Sequence, residues 1–169
     1  MKWKQHYNNP FPLYHLSEEC HDGKVFIPRS MDKDRVMEGE NWRTKRICVS
    51  KSIDGAISAL VDSISMPTGM KFYVHVIDNA IDLFRRDKIY KPTIKQVPDC
   101  QVTDEYWLKD KAFLKCIGMI EIGSIKDNPL FYMWDGEMTR MDRFEWRWIT
   151  LKLATNEDSC FFSTCGTIN

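Results

Sequence analysis

The 169-residue chain has no C-x-x-C pair, no internal repeat, no low-complexity tract and no net charge, with 24 Lys plus Arg against 24 Asp plus Glu. Each absence excludes something. Charge balance removes the general attraction to phosphate backbones or anionic lipid, so non-specific nucleic-acid binding would need a local basic patch. No run approaches the roughly 18 apolar residues that span a bilayer, and the opening Met1-Lys2-Trp3-Lys4-Gln5-His6 lacks a signal peptide's apolar core. A soluble, cytoplasmic chain without a membrane partner is expected. The six cysteines, at 20, 48, 100, 116, 160 and 165, are scattered, which argues against a disulfide framework. Cys48 and Cys116 sit in apolar runs, where cysteine acts as a small hydrophobe. Cys20, His21, Cys160 and Cys165 match no usual structural zinc spacing, so reduced thiols and no metal are expected.

What is present reads as one domain of short strands with one good helix. Residues 13–17 form an apolar segment before the polar His21-Asp22-Gly23, as a first strand would. Residues 28–45 are charged and aperiodic, a long surface loop of the kind that serves as a lid, a binding loop or a solvated excursion. A strand over 46–50 precedes Ile53, Ala56, Ile57, Leu60, Val61 and Ile64, spaced as one helix face. Ser52 is placed to cap that helix, Asp54 suits its positive end, and Pro67 ends it.

Further strands are predicted over 72–78, 105–108 and 113–122, with one or two helical turns over 80–86 and an irregular, proline-containing stretch over 90–102. Residues 130–134 and 144–153 read as the arms of a hairpin around Asp135-Gly136. The second arm alternates Phe144, Trp146 and Trp148 with Glu145, Arg147 and Ile149. The class is α+β, rich in strand. Basic residues gather at Arg43, Lys45, Arg46 and Lys51 and again at Arg85, Arg86, Lys88, Lys91 and Lys95. These suit solvated faces, a phosphate contact or an acidic partner protein.

Three pieces stand in a fixed order: Tyr14-His15-Leu16-Ser17 on a strand, Ser50-Lys51-Ser52 at a strand-to-helix turn, and Glu105-Tyr106-Trp107-Leu108 opening a later strand. Together they resemble the ADP-ribosyltransferase-like family, in which a first-strand His or Arg, a Ser-rich strand before a helix and a late-strand Glu surround NAD. Ser50-Lys51-Ser52 and the Glu105-Tyr106 opening are similar to its poly-ADP-ribose polymerase branch. The resemblance spans residues 13–122 and leaves 123–169 as a C-terminal β extension. It implies a split-sheet core and NAD as substrate, with transfer of ADP-ribose to a macromolecule or hydrolysis of NAD.

On that resemblance Glu105 is the catalytic carboxylate, while His15, Ser17, Ser50, Ser52 and Tyr106 are the nucleotide-binding set. Cleaving the bond between ribose and nicotinamide passes through an oxocarbenium-like centre, which a carboxylate near the ribose 2′-hydroxyl stabilises. A first-strand imidazole can bond the adenosine ribose without fixed charge, and a helix N-terminus favours the pyrophosphate. Each residue also has a plain structural reading. His15 suits a core histidine, Ser52 a helix cap, Glu105 a solvated edge charge, and the late aromatics a core or partner surface. Two other functions stay open on the same scaffold: a non-catalytic interaction protein, such as a phage-encoded inhibitor of host defence, and an enzyme resembling the RNA 2′-phosphotransferases.

Overall fold

A computed structural model describes residues 11–36, 38–61 and 66–149. The elements are β1 (Tyr14–Ser17), β2 (Val25–Phe26), β3 (Ile47–Ser50), α1 (Ile53–Val61), β4 (Lys71–Ile77), α2 (Ala80–Arg85), β5 (Ile89–Tyr90), β6 (Glu105–Leu108), β7 (Ala112–Ile125), β8 (Leu130–Trp134), β9 (Glu137–Met141) and β10 (Phe144–Trp148). Eight strands form one sheet along the path β10-β7-β4-β1-β3-β6-β5, with β2 beside β7; β8 and β9 make a separate two-stranded sheet. The α+β, strand-rich class follows directly. Among the described residues, no helix is long and apolar enough to cross a membrane.

Alternation along the central strands sorts side chains onto two faces. On one, Leu16, Phe72, Val74, Ile120, Ile122 and Phe144 pack with Ala56 and Ile57 of α1. On the other, Ile47, Val49, Ile77, Leu108 and Leu114 pack with Ala80 and Leu83 of α2. Two buried layers on one sheet explain why its central strands read as nearly continuous apolar runs.

Helix α1 starts where the sequence predicts. The Ser52 hydroxyl accepts the Gly55 amide at 3.0 Å, the bond that defines an N-cap. The stop assigned to Pro67 depends on residues 62–65, outside the described residues. Residues 28–45 are not a featureless excursion: they contain a 3₁₀ turn at Lys33–Arg35 and an antiparallel bridge between Arg29 and Arg46.

The hairpin differs from expectation in its second arm. Asp135 and Gly136 both have positive φ, 49° and 81°, the conformation of a two-residue type I′ turn. Such a turn pairs the immediately following residues, so β8 pairs with β9, Trp134 opposite Glu137. The Glu-Met-Thr-Arg-Met run of β9 carries too little apolar signal to be read as a strand. The aromatic segment 144–148 instead pairs with β7 in the main sheet. The part of that arm beyond 149 lies outside the described residues.

Gly55 sets how closely α1 meets the sheet. A Cβ there would stand 2.2 Å from the Thr103 carbonyl oxygen and 2.5 Å from the Ser50 hydroxyl. Helix propensity alone favours Gly55→Ala by about 1 kcal/mol, but the obstacle is backbone, and overpacking costs about 1–3 kcal/mol or more. Urea unfolding of Gly55→Ala should therefore show a net loss of stability; a gain would mean that α1 can slide away from Thr103 at little cost.

Candidate functional site

Strands β1 and β3 share a single Cα pairing, Tyr14 with Ser50, whereas β3 and β6 pair along four residues. The gap beyond that one pairing opens a cavity of about 210 Å³. Tyr14 and Leu16 of β1, Cys48 and Ser50 of β3, and Glu105 of β6 border it. Ala56 and Ala59 of α1 leave room that larger side chains would fill, and Met31, Val36 and Glu40 bring the 28–45 segment over one side. Asp99 completes the polar lining, which among the described residues holds three carboxylates and no lysine or arginine.

Three of the lining residues, Glu40, Cys48 and Glu105, are tied together by a cluster around a buried arginine. The Arg46 side chain has no solvent exposure and pairs with Glu40. Its guanidinium also donates to the backbone carbonyls of Asn41 and Thr44, and its Nε lies 3.3 Å from Cys48 Sγ. The guanidinium carbon stands 4.3 Å from the centre of the Trp107 ring, a desolvated cation–π contact. Trp107 Nε1 in turn donates to Glu105 Oε1 at 2.6 Å. Arg46 is thus no part of a solvated basic face: its charge is spent inside the fold, holding the 28–45 segment against the sheet.

Glu105 is buried, and burial pushes its pKa up; the bonds from Trp107 and Cys48 and the charges of Arg46 and Lys91 oppose that push. Register explains its placement. Ser50 pairs with Glu105, and residues directly opposite in an antiparallel pair point to one face. The Ser50 hydroxyl is committed locally, donating to the Thr103 carbonyl at 2.8 Å and accepting the Ser52 amide at 3.2 Å.

His15 borders the cavity from β1, but alternation sends its ring to the face opposite Tyr14 and Leu16. There it meets Phe26 edge-on at 5.2 Å and His75 at 6.3 Å. Its Nδ1 lies 3.3 Å from the Cys48 carbonyl oxygen, so it bridges the strands where their ladder stops. Burial lowers its pKa, reinforced by His21 and Arg29 and opposed by the bond to Cys48. The remaining predicted residues lie elsewhere. Ser17 bonds His21 Nε2 at 3.0 Å, Ser52 caps α1, and Tyr106 lies in the core layer under α2 with the Lys91 ammonium 4.6 Å from its ring centre.

Tyr14, Glu40, Cys48 and Asp99 border the cavity without having been given a site role from sequence. For Tyr14 and Cys48 a signal existed, since period-two alternation from Ser50 and Glu105 puts them on the same face once the register is known. Glu40 and Asp99 come from irregular segments that carry no periodic signal.

No family model matches this chain, and neither a curated protein nor a solved structure matches it.

Arg46→Ala would leave Glu40 and two carbonyls without their buried donor, a change that costs about 3–5 kcal/mol for a buried pair. Glu40→Gln should cost less, because the carbonyl bonds and the Trp107 contact remain. Urea unfolding ranks the two variants, and limited proteolysis of Arg46→Ala should cut first within 28–45. Equal stabilities would show that the ion pair, not the whole Arg46 cluster, holds the segment.

Proposed function

We propose that the cavity between β1 and β3 binds the nicotinamide–ribose end of NAD or a related nucleotide, and that Glu105 promotes transfer of ADP-ribose or hydrolysis of NAD. The observation that carries this reading is the Glu105 carboxylate. It borders the cavity opposite Ser50 and is held there by the 2.6 Å bond from Trp107. The weak β1–β3 junction supports an ADP-ribosyltransferase-like split sheet, the architecture that the His15, Ser50 and Glu105 order resembles.

The size and charge of the cavity narrow what enters. At about 210 Å³ it is smaller than the roughly 300–1,000 Å³ of sites that enclose a whole ligand. It takes one sugar and one base, leaving the rest of a dinucleotide outside. A lining with Glu40, Asp99 and Glu105 disfavours a pyrophosphate and favours the cationic nicotinamide ring.

In the reaction the bond from ribose C1′ to the nicotinamide nitrogen breaks, and the electron pair leaves with neutral nicotinamide. The positive charge that develops on the sugar is stabilised by ionised Glu105. Water or an acceptor nucleophile then bonds C1′ and releases its proton to solvent. On this reading His15 is a positioning residue, joining β1 to β3 through the Cys48 carbonyl, and Tyr14 is the polar β1 side chain on the cavity face.

A second reading, as an interaction protein of the kind that blocks a host-defence component, is favoured by one observation. Phe131, Met133 and Met138 of the β8–β9 hairpin are all more than half exposed. Met133 and Met138 are directly opposed, and apolar area gathered on one face marks a contact surface.

Nicotinamide release from NAD by the purified chain, with and without a cell lysate as source of acceptor, tests the enzyme reading. Glu105→Gln keeps shape but removes the charge, so turnover should fall about 10²- to 10³-fold, well beyond the loss of affinity for the cationic ring of NAD. Because catalysis requires ionised Glu105, whose pKa burial raises, wild-type turnover should increase with pH through a value above the ordinary 4.5. If the wild type neither binds nor consumes NAD and Glu105→Gln keeps full biological activity, the interaction reading replaces this one.

A further inference from the structure

On the sheet face opposite the cavity, three potential ligands from distant parts of the chain come together. Cys20 lies in the turn after β1, His75 on β4 and Cys116 on β7, and their ligand-capable atoms are all within 4.8 Å of one another. The meeting is built by two features. His75 and Cys116 are directly opposed in the β4–β7 ladder, at a register shift between Val74 and His75. Val74 pairs with Gly118 and His75 with Cys116, so Ile117 is an extra residue, and such a bulge re-aims the side chains beside it. Asp22, in the same turn as Cys20, accepts the Cys116 amide at 2.7 Å and holds that turn against β7.

We infer that Cys20, His75 and Cys116 form a binding site for a thiophilic divalent cation of the zinc type, with three protein ligands and one open position. The donor set fits that chemistry. Two thiolates and one imidazole suit zinc, and three protein ligands leave the fourth tetrahedral position to water or a substrate atom. His75 is fully buried, and its Nε2 accepts the His21 amide at 2.9 Å. A lone pair therefore already points at this turn. Among the described residues its Nδ1 has no partner at hydrogen-bonding geometry. His21 itself is not a ligand, since its two ring nitrogens face the Ser17 hydroxyl at 3.0 Å and the Lys24 ammonium at 3.3 Å.

Both thiols are only partly buried, which gives the ion an entry path. Binding exchanges two thiol protons, released to buffer, for two sulfur–metal bonds. It clamps the turn after β1 onto β4 and β7. The site departs from the sequence expectation of no metal because that expectation rested on spacing, and ligands 55 and 41 residues apart form no spacing motif. It shares no ligand with the cavity and does not rest on the NAD reading.

The test uses the full chain, reduced and stripped with a chelator, then titrated with Co²⁺ as a spectroscopic stand-in for Zn²⁺. One equivalent should produce thiolate-to-cobalt charge-transfer absorption that Zn²⁺ abolishes. Cys20→Ser and Cys116→Ser should each weaken binding by on the order of tenfold or more and reduce that absorption. His75→Gln should do the same; should it fail to fold, the two partly exposed cysteine variants decide. A Cys160→Ser/Cys165→Ser double variant should bind as the wild type does. Absence of the charge-transfer band from a folded chain overturns the proposal. So does a band that survives both single cysteine variants, or a chain that forms a Cys20–Cys116 disulfide under the same reducing conditions and takes up no cation.

Discussion

A guanidinium with no exposure to water is the constraint on which the cavity-bearing half of this molecule depends. Burying Arg46 is tolerable only because every side of it is answered: Glu40 for its charge, the Asn41 and Thr44 carbonyls for its donors, and the Trp107 face for its desolvated plane. Those partners come from the 28–45 segment on one side and from β6 on the other. Satisfying one charge therefore fixes a loop to a sheet. It also fixes Trp107, whose indole N–H orients Glu105, so the carboxylate at the candidate centre and the segment covering it depend on the same residue.

The cavity follows from a topological compromise. β1 sits between β4 and β3 but matches only β4 along its length; its four pairings there contrast with one to β3. Where the second ladder stops, α1 covers the opening with alanines, and the His15 bond to the Cys48 carbonyl limits further parting. Gly55 lets α1 approach within contact of Thr103 and Ser50, which keeps the opening narrow. A pocket defined by a missing ladder is lined by whatever the neighbouring strands present on that face, and here this includes buried carboxylates. Carboxylates in such a place suit a developing or standing positive charge far better than a phosphate.

The two faces of the sheet divide the chemistry-bearing residues between them. Glu105, Ser50, Cys48 and Tyr14 belong to one face. The imidazoles of His15 and His75 belong to the other, together with Cys20 and Cys116. His15 is the link, its ring on the second face and its hydrogen bond reaching the strand that borders the first. A perturbation of the histidine face is thus one bond from the β1–β3 junction.

The residues by themselves determined much of the architecture. Apolar spacing over 53–64, the Ser52 cap, the Asp135-Gly136 turn and the β-branched or aromatic runs at 72–78, 105–108 and 113–122 are local signals, and local hydrogen bonding and side-chain periodicity answer them directly. The order of His15, Ser50 and Glu105 was legible too, and Ser50 and Glu105 do share a face. What the tertiary structure alone decided were the partners. The second hairpin arm went to β7 because a type I′ turn closes on its nearest neighbours. The ring of His15 turned away from Glu105 because strand alternation fixes a side chain's face only once register is known. Arg46 moved from an apparent basic patch to the centre of a buried cluster, and Cys20, His75 and Cys116 converged, because those placements depend on contacts between residues far apart in the chain. Periodicity within a segment specifies which way its own side chains alternate, but not which distant segment lies opposite, and charge satisfaction and metal ligation are set by what lies opposite.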